Sequence, residues 1–180
     1  MKRMTLGIVL ALAAATACGE GRAIFNVDLH SFLLADGADT MQYVLPPPGG
    51  TLQQATQVPL LGGLQDSGVE ELQFTATLRF ENTAGGPGTI AFKLYFDTTQ
   101  ATLFAGRAAD SLTSPVGPGA TVNTVTQTFN VTSTLKDLFV YPTIFVGLRI
   151  VVDNPSVSVI QGQVRVTAFD MRLVIQEQVF

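Results

Sequence analysis

The 180-residue sequence contains one cysteine, one histidine and no tryptophan. A single thiol rules out an intramolecular disulfide. A structural zinc site needs several His or Cys ligands, which this composition does not supply. A Ser-His-Asp triad would have to use His30, and no strand-Gly-x-Ser-x-Gly elbow accompanies it. The absence of Trp argues against sugar recognition by ring stacking. Charge is scarce too. Charged residues make up 13 % of the chain, against about 25 % in a typical soluble domain. Ten basic and fourteen acidic residues give a net charge of −4, with no basic cluster. Nucleic-acid binding relies on Lys and Arg to neutralise phosphates, so that class is excluded. The same balance argues against electrostatic docking onto anionic lipid.

What is present favours strands. Apolar residues make up 47 %, with 17 Gly and 9 Pro, and Thr and Val are abundant. A disordered chain combines low hydrophobicity with high charge, and this is the opposite. β-Branched residues suit a pleated surface, and Gly and Pro suit turns. The length corresponds to one domain.

The amino terminus stands apart. Lys2 and Arg3 precede the charge-free run Met4 to Ala17, MTLGIVLALAAATA. At 14 residues it falls short of the roughly 20 a spanning helix needs. A positive start, a short apolar stretch and small residues before a cut define an export signal. Ala15-Thr16-Ala17-Cys18 resembles the lipobox of bacterial lipoproteins, in which the cysteine is acylated and becomes the new amino terminus. Ala15 stands where that family usually has Leu. Gly19 follows the cysteine rather than the Asp that marks inner-membrane retention. The resemblance implies residues 1–17 as a signal peptide, Cys18 as the lipidated residue and the outer membrane as the destination. It also implies a lipid bilayer as partner, through Cys18. Lys2 and Arg3 leave with the signal, so the mature chain keeps eight basic side chains against fourteen acidic, a net −6. Several acyl chains on one cysteine would anchor the protein stably, whereas one alone anchors reversibly.

Residues 18–22 read as a tether and 23–180 as one domain. Phe25, Val27 and Leu29 alternate with Asn26, Asp28 and His30, the period of a half-buried strand, which places His30 on a strand surface. Residues 35–68, with Asp36-Gly37, Pro46-Pro47-Pro48 and Gly62-Gly63, read as an irregular loop. Leu72, Phe74, Ala76, Leu78 and Phe80 share one face of a long strand. After a Gly/Pro hairpin, Ile90, Phe92, Leu94 and Phe96 share another. A Pro/Gly turn is expected at 114–119, a Thr-rich strand at 121–131 and a short helix within 132–139. Strands follow at 141–152 and 161–176, the last with a phase slip near 168–170 that predicts a β-bulge. The result is an all-β fold, an antiparallel β-sandwich of about seven strands in an immunoglobulin- or fibronectin-like layout, with one or two short helices.

Five segments resemble the late-embryogenesis-abundant type domain, also called the water-stress and hypersensitive-response domain. They are LQFTATLRFEN (72–82), TIAFKLYFD (89–97), LFAGR (103–107), VGPGATVNTVTQTFNV (116–131) and STLKDLF (133–139). Thr83 replaces the Pro usual after the strand-ending Asn. This resemblance implies an antiparallel sandwich with a protective or binding role, and it transfers no site residues.

The carboxylates Asp36, Asp39, Asp66, Glu70 and Glu71 lie in loops without calcium-loop spacing. Gly85-Gly86-Pro87-Gly88 lacks the Lys-Ser/Thr of a phosphate loop. No metal, cofactor or catalytic set is therefore assigned. The functional expectation is a cell-envelope lipoprotein whose non-catalytic sandwich binds or supports a partner, such as a protein in an envelope complex. The alternatives are a stress-protective domain without a defined ligand, and a hydrolase with a site in the 35–68 loop.

Overall fold

A computed structural model describes residues 21–60, 68–131 and 133–177. Residues 1–17, expected to be a signal peptide, and Cys18 lie outside them, as does Asp66. Among the described residues there are nine strands: β1 (Gly21–Asp28), β2 (Thr40–Leu45), β3 (Gly49–Pro59), β4 (Gly68–Ala84), β5 (Gly88–Asp97), β6 (Asp110–Val116), β7 (Thr121–Asn130), β8 (Thr143–Asp153) and β9 (Ile160–Glu177). Helix α1 (His30–Ala35) separates β1 from β2, and α2 (Ser133–Lys136) runs into a 3₁₀ turn at Asp137–Val140.

The strands form two antiparallel sheets. One has the order β1-β9-β4-β7, with β2 also on β9; the other has the order β3-β8-β5-β6. The all-β antiparallel sandwich is thus as expected, with corrections. The strand count is nine rather than seven. From β2 to β9 the chain crosses between the sheets at almost every connection, staying within one only at β5-β6. This is the order of a jelly roll, two interlocked Greek keys, and not the immunoglobulin- or fibronectin-like layout.

The difference arises within 35–68, whose described residues are mostly strand and not an irregular loop. In β2, Met41 and Tyr43 are buried while Gln42 and Val44 are exposed. β3 pairs residue by residue with β8, from Gly49↔Asp153 to Pro59↔Thr143. Its core-side positions are Leu52, Gln54, Thr56 and Val58. Two of these are polar, so the period-two hydrophobic signal disappears. Thr56 is accommodated by donating a hydrogen bond to the Asp36 carboxylate. Ser114, Pro115 and Val116, expected in a turn, finish β6. Pro115 is tolerated there because β6 is an edge strand and pairs only with β5. β1 begins at Gly21, so residues 21 and 22 of the expected tether lie in a strand.

Other expectations hold. The inward sets of β4 and β5 are buried, with Phe74, Phe80 and Ile90 all at 0 % exposure. Phe74 sits centrally, stacked on Phe96 at 4.7 Å and on Phe129 at 5.5 Å between ring centroids. The β9 bulge exists: Thr77 faces Ala168 while Leu78 faces Val166, which leaves Thr167 as the extra residue. That extra residue lets Val164 and Val166 above it, and Phe169 and Met171 below it, all enter the core.

β1 and β2 both run antiparallel to β9, Gly21–Asp28 against 170–177 and Thr40–Leu45 against 160–165. Together they make one long edge, interrupted by α1. This arrangement gives the sandwich two distinct ends. The start of β1, the end of β9, the start of β4, connection 98–109 and α2 lie at the proximal end. The turns at 46–48, 85–87, 117–120 and 154–159 lie at the distal end.

Candidate functional site at the proximal end

The proximal end is fixed to β1 through charge. The Arg22 guanidinium pairs with the Glu70 carboxylate at 2.8 Å. Lys136 of α2 donates to the Glu70 backbone carbonyl. α2 and its 3₁₀ turn therefore cap the same end at which β1 begins. Phe139 of that turn is fully buried and lies edge-on to Phe96 at 5.3 Å.

Connection 98–109 forms the facing wall. Its start is tied down by Asp97, whose carboxylate accepts from the Thr99 N–H at 3.2 Å and the Thr102 hydroxyl at 2.8 Å. Its middle folds onto the outer face of the β3-β8-β5-β6 sheet, where Gly147 leaves room for it. A β-carbon at 147 would lie 2.8 Å from the Phe104 ring and 2.9 Å from Leu103. Arg149 clamps the same segment. Its guanidinium carbon lies 4.9 Å from the ring centres of both Tyr95 and Phe104. It donates to the Tyr95 hydroxyl, the Gln53 side chain and the Phe104 carbonyl, each at 3.1 Å. Cation–π contacts of this kind contribute about 0.5–2 kcal/mol. Tyr95 is 4 % exposed even though it faces away from the core, because this connection covers it.

Between the clamped connection and the helical cap lies a cleft of about 500 Å³. Phe96 and Asp97 at the end of β5 form part of it, with Leu103 and residues 106–109 on one side and Leu135 and Leu138 on the other. Apolar and polar surface both contribute to its lining. Arg107 is exposed, and among the described residues it forms no ion pair. The volume falls within the range of about 300–1,000 Å³ usual for small-molecule sites. Sequence reasoning missed this cleft. The LFAGR segment was noticed for its resemblance alone, and nothing in the chain order brings it beside Leu135 and Leu138. The one available signal was Gly147 in an otherwise continuous apolar strand, which marks close approach of another segment.

The residues singled out from sequence are dispersed. His30 does not sit on a strand: it is the first residue of α1 and is half-buried. Asp28 and Ser31 are its neighbours, but they are committed to starting that helix. The Asp28 carboxylate accepts from the Ser31 N–H at 3.2 Å, and the Ser31 hydroxyl donates to the Asp28 carbonyl at 2.8 Å. Asp39 pairs with Arg165 at 3.3 Å, Glu71 with Arg172 at 2.7 Å, and Asp36 accepts from Thr56. No group of three or more His, Cys, Asp or Glu placed to hold a metal ion occurs among the described residues. No described helix is long and apolar enough to cross a membrane.

No known protein family matches the sequence, and no curated protein matches it. Solved structures do resemble the fold. The infectious bursal disease virus Gx strain structure aligns with 89 % of this chain and 33 % of its own, at 12 % identity and a TM-score of 0.45. A carbohydrate-binding module specific for non-crystalline cellulose aligns over 71 % of this chain and 69 % of its own, at 13 % identity and a TM-score of 0.42. A carbohydrate-binding domain of a xylanase from the hindgut metagenome of Trinervitermes trinervoides aligns over 84 % and 96 %, at 12 % identity and a TM-score of 0.33. The chain therefore spans about a third of the length of the first of these. Likeness at this level speaks neither to family nor to function. The class that fold and site define is a jelly-roll β-sandwich with a cleft at one end.

Proposed function

We propose that the chain is a cell-envelope lipoprotein. Residues 1–17 direct export and are removed, Cys18 carries the acyl chains, and the sandwich binds or supports a partner at the membrane without catalysing a reaction. The outer membrane is the proposed destination, since Gly19 is not a retention signal. The observation that carries this reading is the placement of the chain's one cysteine, directly after small residues that end a charge-free leader.

Two structural features support it. β1 begins at Gly21, three Cα steps from Cys18, so the anchor could stand no more than about 11 Å from the folded body. The proximal end would then rest on the lipid surface. In addition, the interrupted β1-β2 edge exposes three apolar side chains, Ile24 at 57 %, Leu34 at 55 % and Val44 at 62 %. Unpaired edges with apolar residues are common places for a partner to dock.

The test is the intact mass of the protein purified from a bacterial host, together with its partition between membrane and soluble fractions. The expected product starts at Cys18, carries acyl mass and stays with the membrane, while Cys18→Ser is released. An unmodified Cys18, or a Cys18→Ser protein that partitions like the parent, refutes the reading.

A further inference from the structure

The proximal cleft lies at the end of the sandwich where β1 begins. Phe96, Leu103, Leu135 and Leu138 give it an apolar part, beside the polar groups of Asp97 and residues 106–109. A single exposed cation, Arg107, contributes to its lining and has no described acidic partner. Asp97, the one carboxylate in the lining, keeps its charge but is oriented toward the 98–102 turn, where it accepts from the Thr99 N–H and the Thr102 hydroxyl. Arg107 forms no ion pair with it or with any other described residue, so its guanidinium is free to meet an anion whose hydrocarbon tail enters the cleft. The cleft does not depend on a mobile lid. Its outer wall is held by the Arg149 clamp and by the space above Gly147, so it is preformed.

We infer that this cleft takes one acyl chain of an anionic amphiphile from the bilayer, with its carboxylate or phosphate head at Arg107. The inference rests on the membrane-anchored reading above, because anchoring at Cys18 is what sets the cleft at the lipid surface. It goes further in naming the ligand class and the residues that would select it.

The experiment uses the full-length, anchored protein in vesicles of phosphatidylethanolamine and phosphatidylglycerol. The vesicles carry either a diazirine-bearing fatty acid or the matching fatty alcohol. After irradiation, cross-linked peptides are mapped by mass spectrometry, and vesicle partition is measured on the same samples. The fatty acid should label residues 103–109 and 135–138 in preference to the exposed proximal residue Tyr141, and more strongly than the alcohol does. Arg107→Glu should lower fatty-acid labelling about threefold, the scale of one exposed ion pair, and leave alcohol labelling unchanged. Leu138→Asp should abolish labelling by both probes. Labelling spread evenly over the proximal end, or fatty-acid labelling unmoved by Arg107→Glu, overturns the inference while the anchor stands. Loss of vesicle partition by the parent protein overturns the anchor itself.

Discussion

The two ends of this sandwich are built on opposite principles. At the distal end the turns are short and every crossing is stitched. Asn154, 1 % exposed, donates to the Leu45 carbonyl at 3.2 Å and the Ser158 carbonyl at 2.9 Å, and accepts from the Ser156 N–H and hydroxyl. Asn82, 2 % exposed, donates to the Gly86 and Gly117 carbonyls. Gly49 and Gly85 adopt φ of +112° and +103°. A β-carbon on either would overlap a carbonyl oxygen of an adjacent segment, Val152 for Gly49 and Val159 for Gly85, so only glycine fits. At the proximal end the connections are longer, a helix replaces a tight turn, and an apolar cleft stays open. One end is tied by the side chains of two buried asparagines and the other carries an open cleft. Stability should therefore concentrate at the distal end and function at the proximal end.

Substitutions can break that division, and they are ordered here by size of effect. Asn154→Ala removes the four hydrogen bonds of a buried amide, two donated and two accepted. It should cost about 3 kcal/mol in urea unfolding, with labelling of the cleft unchanged in the protein that remains folded. A loss below about 1 kcal/mol would show that water replaces the amide.

The second test uses pH. Tyr43 is 1 % exposed and donates to the Glu81 carbonyl at 2.9 Å. Burial, and secondarily the Glu81 charge, push its hydroxyl up to about 12. The unfolded chain gives up this proton near pH 10, so above that pH the folded state binds more protons and stability falls as pH rises. Between pH 10 and 12 the loss should approach about 2–3 kcal/mol. Tyr43→Phe should show a shallower alkaline decline, measured as the unfolding midpoint against pH. Parallel declines for both proteins would place the sensitivity elsewhere.

Arg149→Ala should cost less, about 1–2 kcal/mol, and its effect should be local. Hydrogen exchange should rise in 98–109 and stay unchanged in 154–159. Arg107→Ala should change the unfolding free energy by no more than about 0.5 kcal/mol, as for an exposed side chain without a partner. A larger loss would mean that Arg107 serves the fold.

Some of this organisation was legible in the sequence. Phe74, Leu78, Phe80, Ile90, Phe92 and Phe96 announced their strands because every inward position is apolar and every outward one admits a polar group. The β9 bulge was readable for the same reason, since Val166 and Met171 cannot share a face without an extra residue between them. β3 was not readable. Gln54 and Thr56 occupy core-side positions and erase the alternation. Thr56 is tolerated through Asp36, which is distant in sequence, and both residues sit on a strand at a sheet edge. Missing β2 and β3 also hid the jelly-roll order, which those two strands define by pairing with β9 and β8. The cleft was unreadable because it is made by Leu103 and Leu138 from connections that meet only after the sheets close. Cys18 is the reverse case: its proposed role was read from chain order alone.

Anchoring at Cys18 requires the proximal end to face the lipid. With the anchored protein in bilayers, a nitroxide placed in turn at Ala105 on the proximal end and at Val157 on the distal end reports depth through collision with lipid-soluble oxygen and with a water-soluble nickel complex. Strands of about ten residues separate these ends by roughly 30 Å. The account predicts an oxygen-rich, nickel-poor environment at Ala105 and a fully aqueous one at Val157. Equal exposure of both positions to the aqueous quencher, or the reverse order, would contradict it.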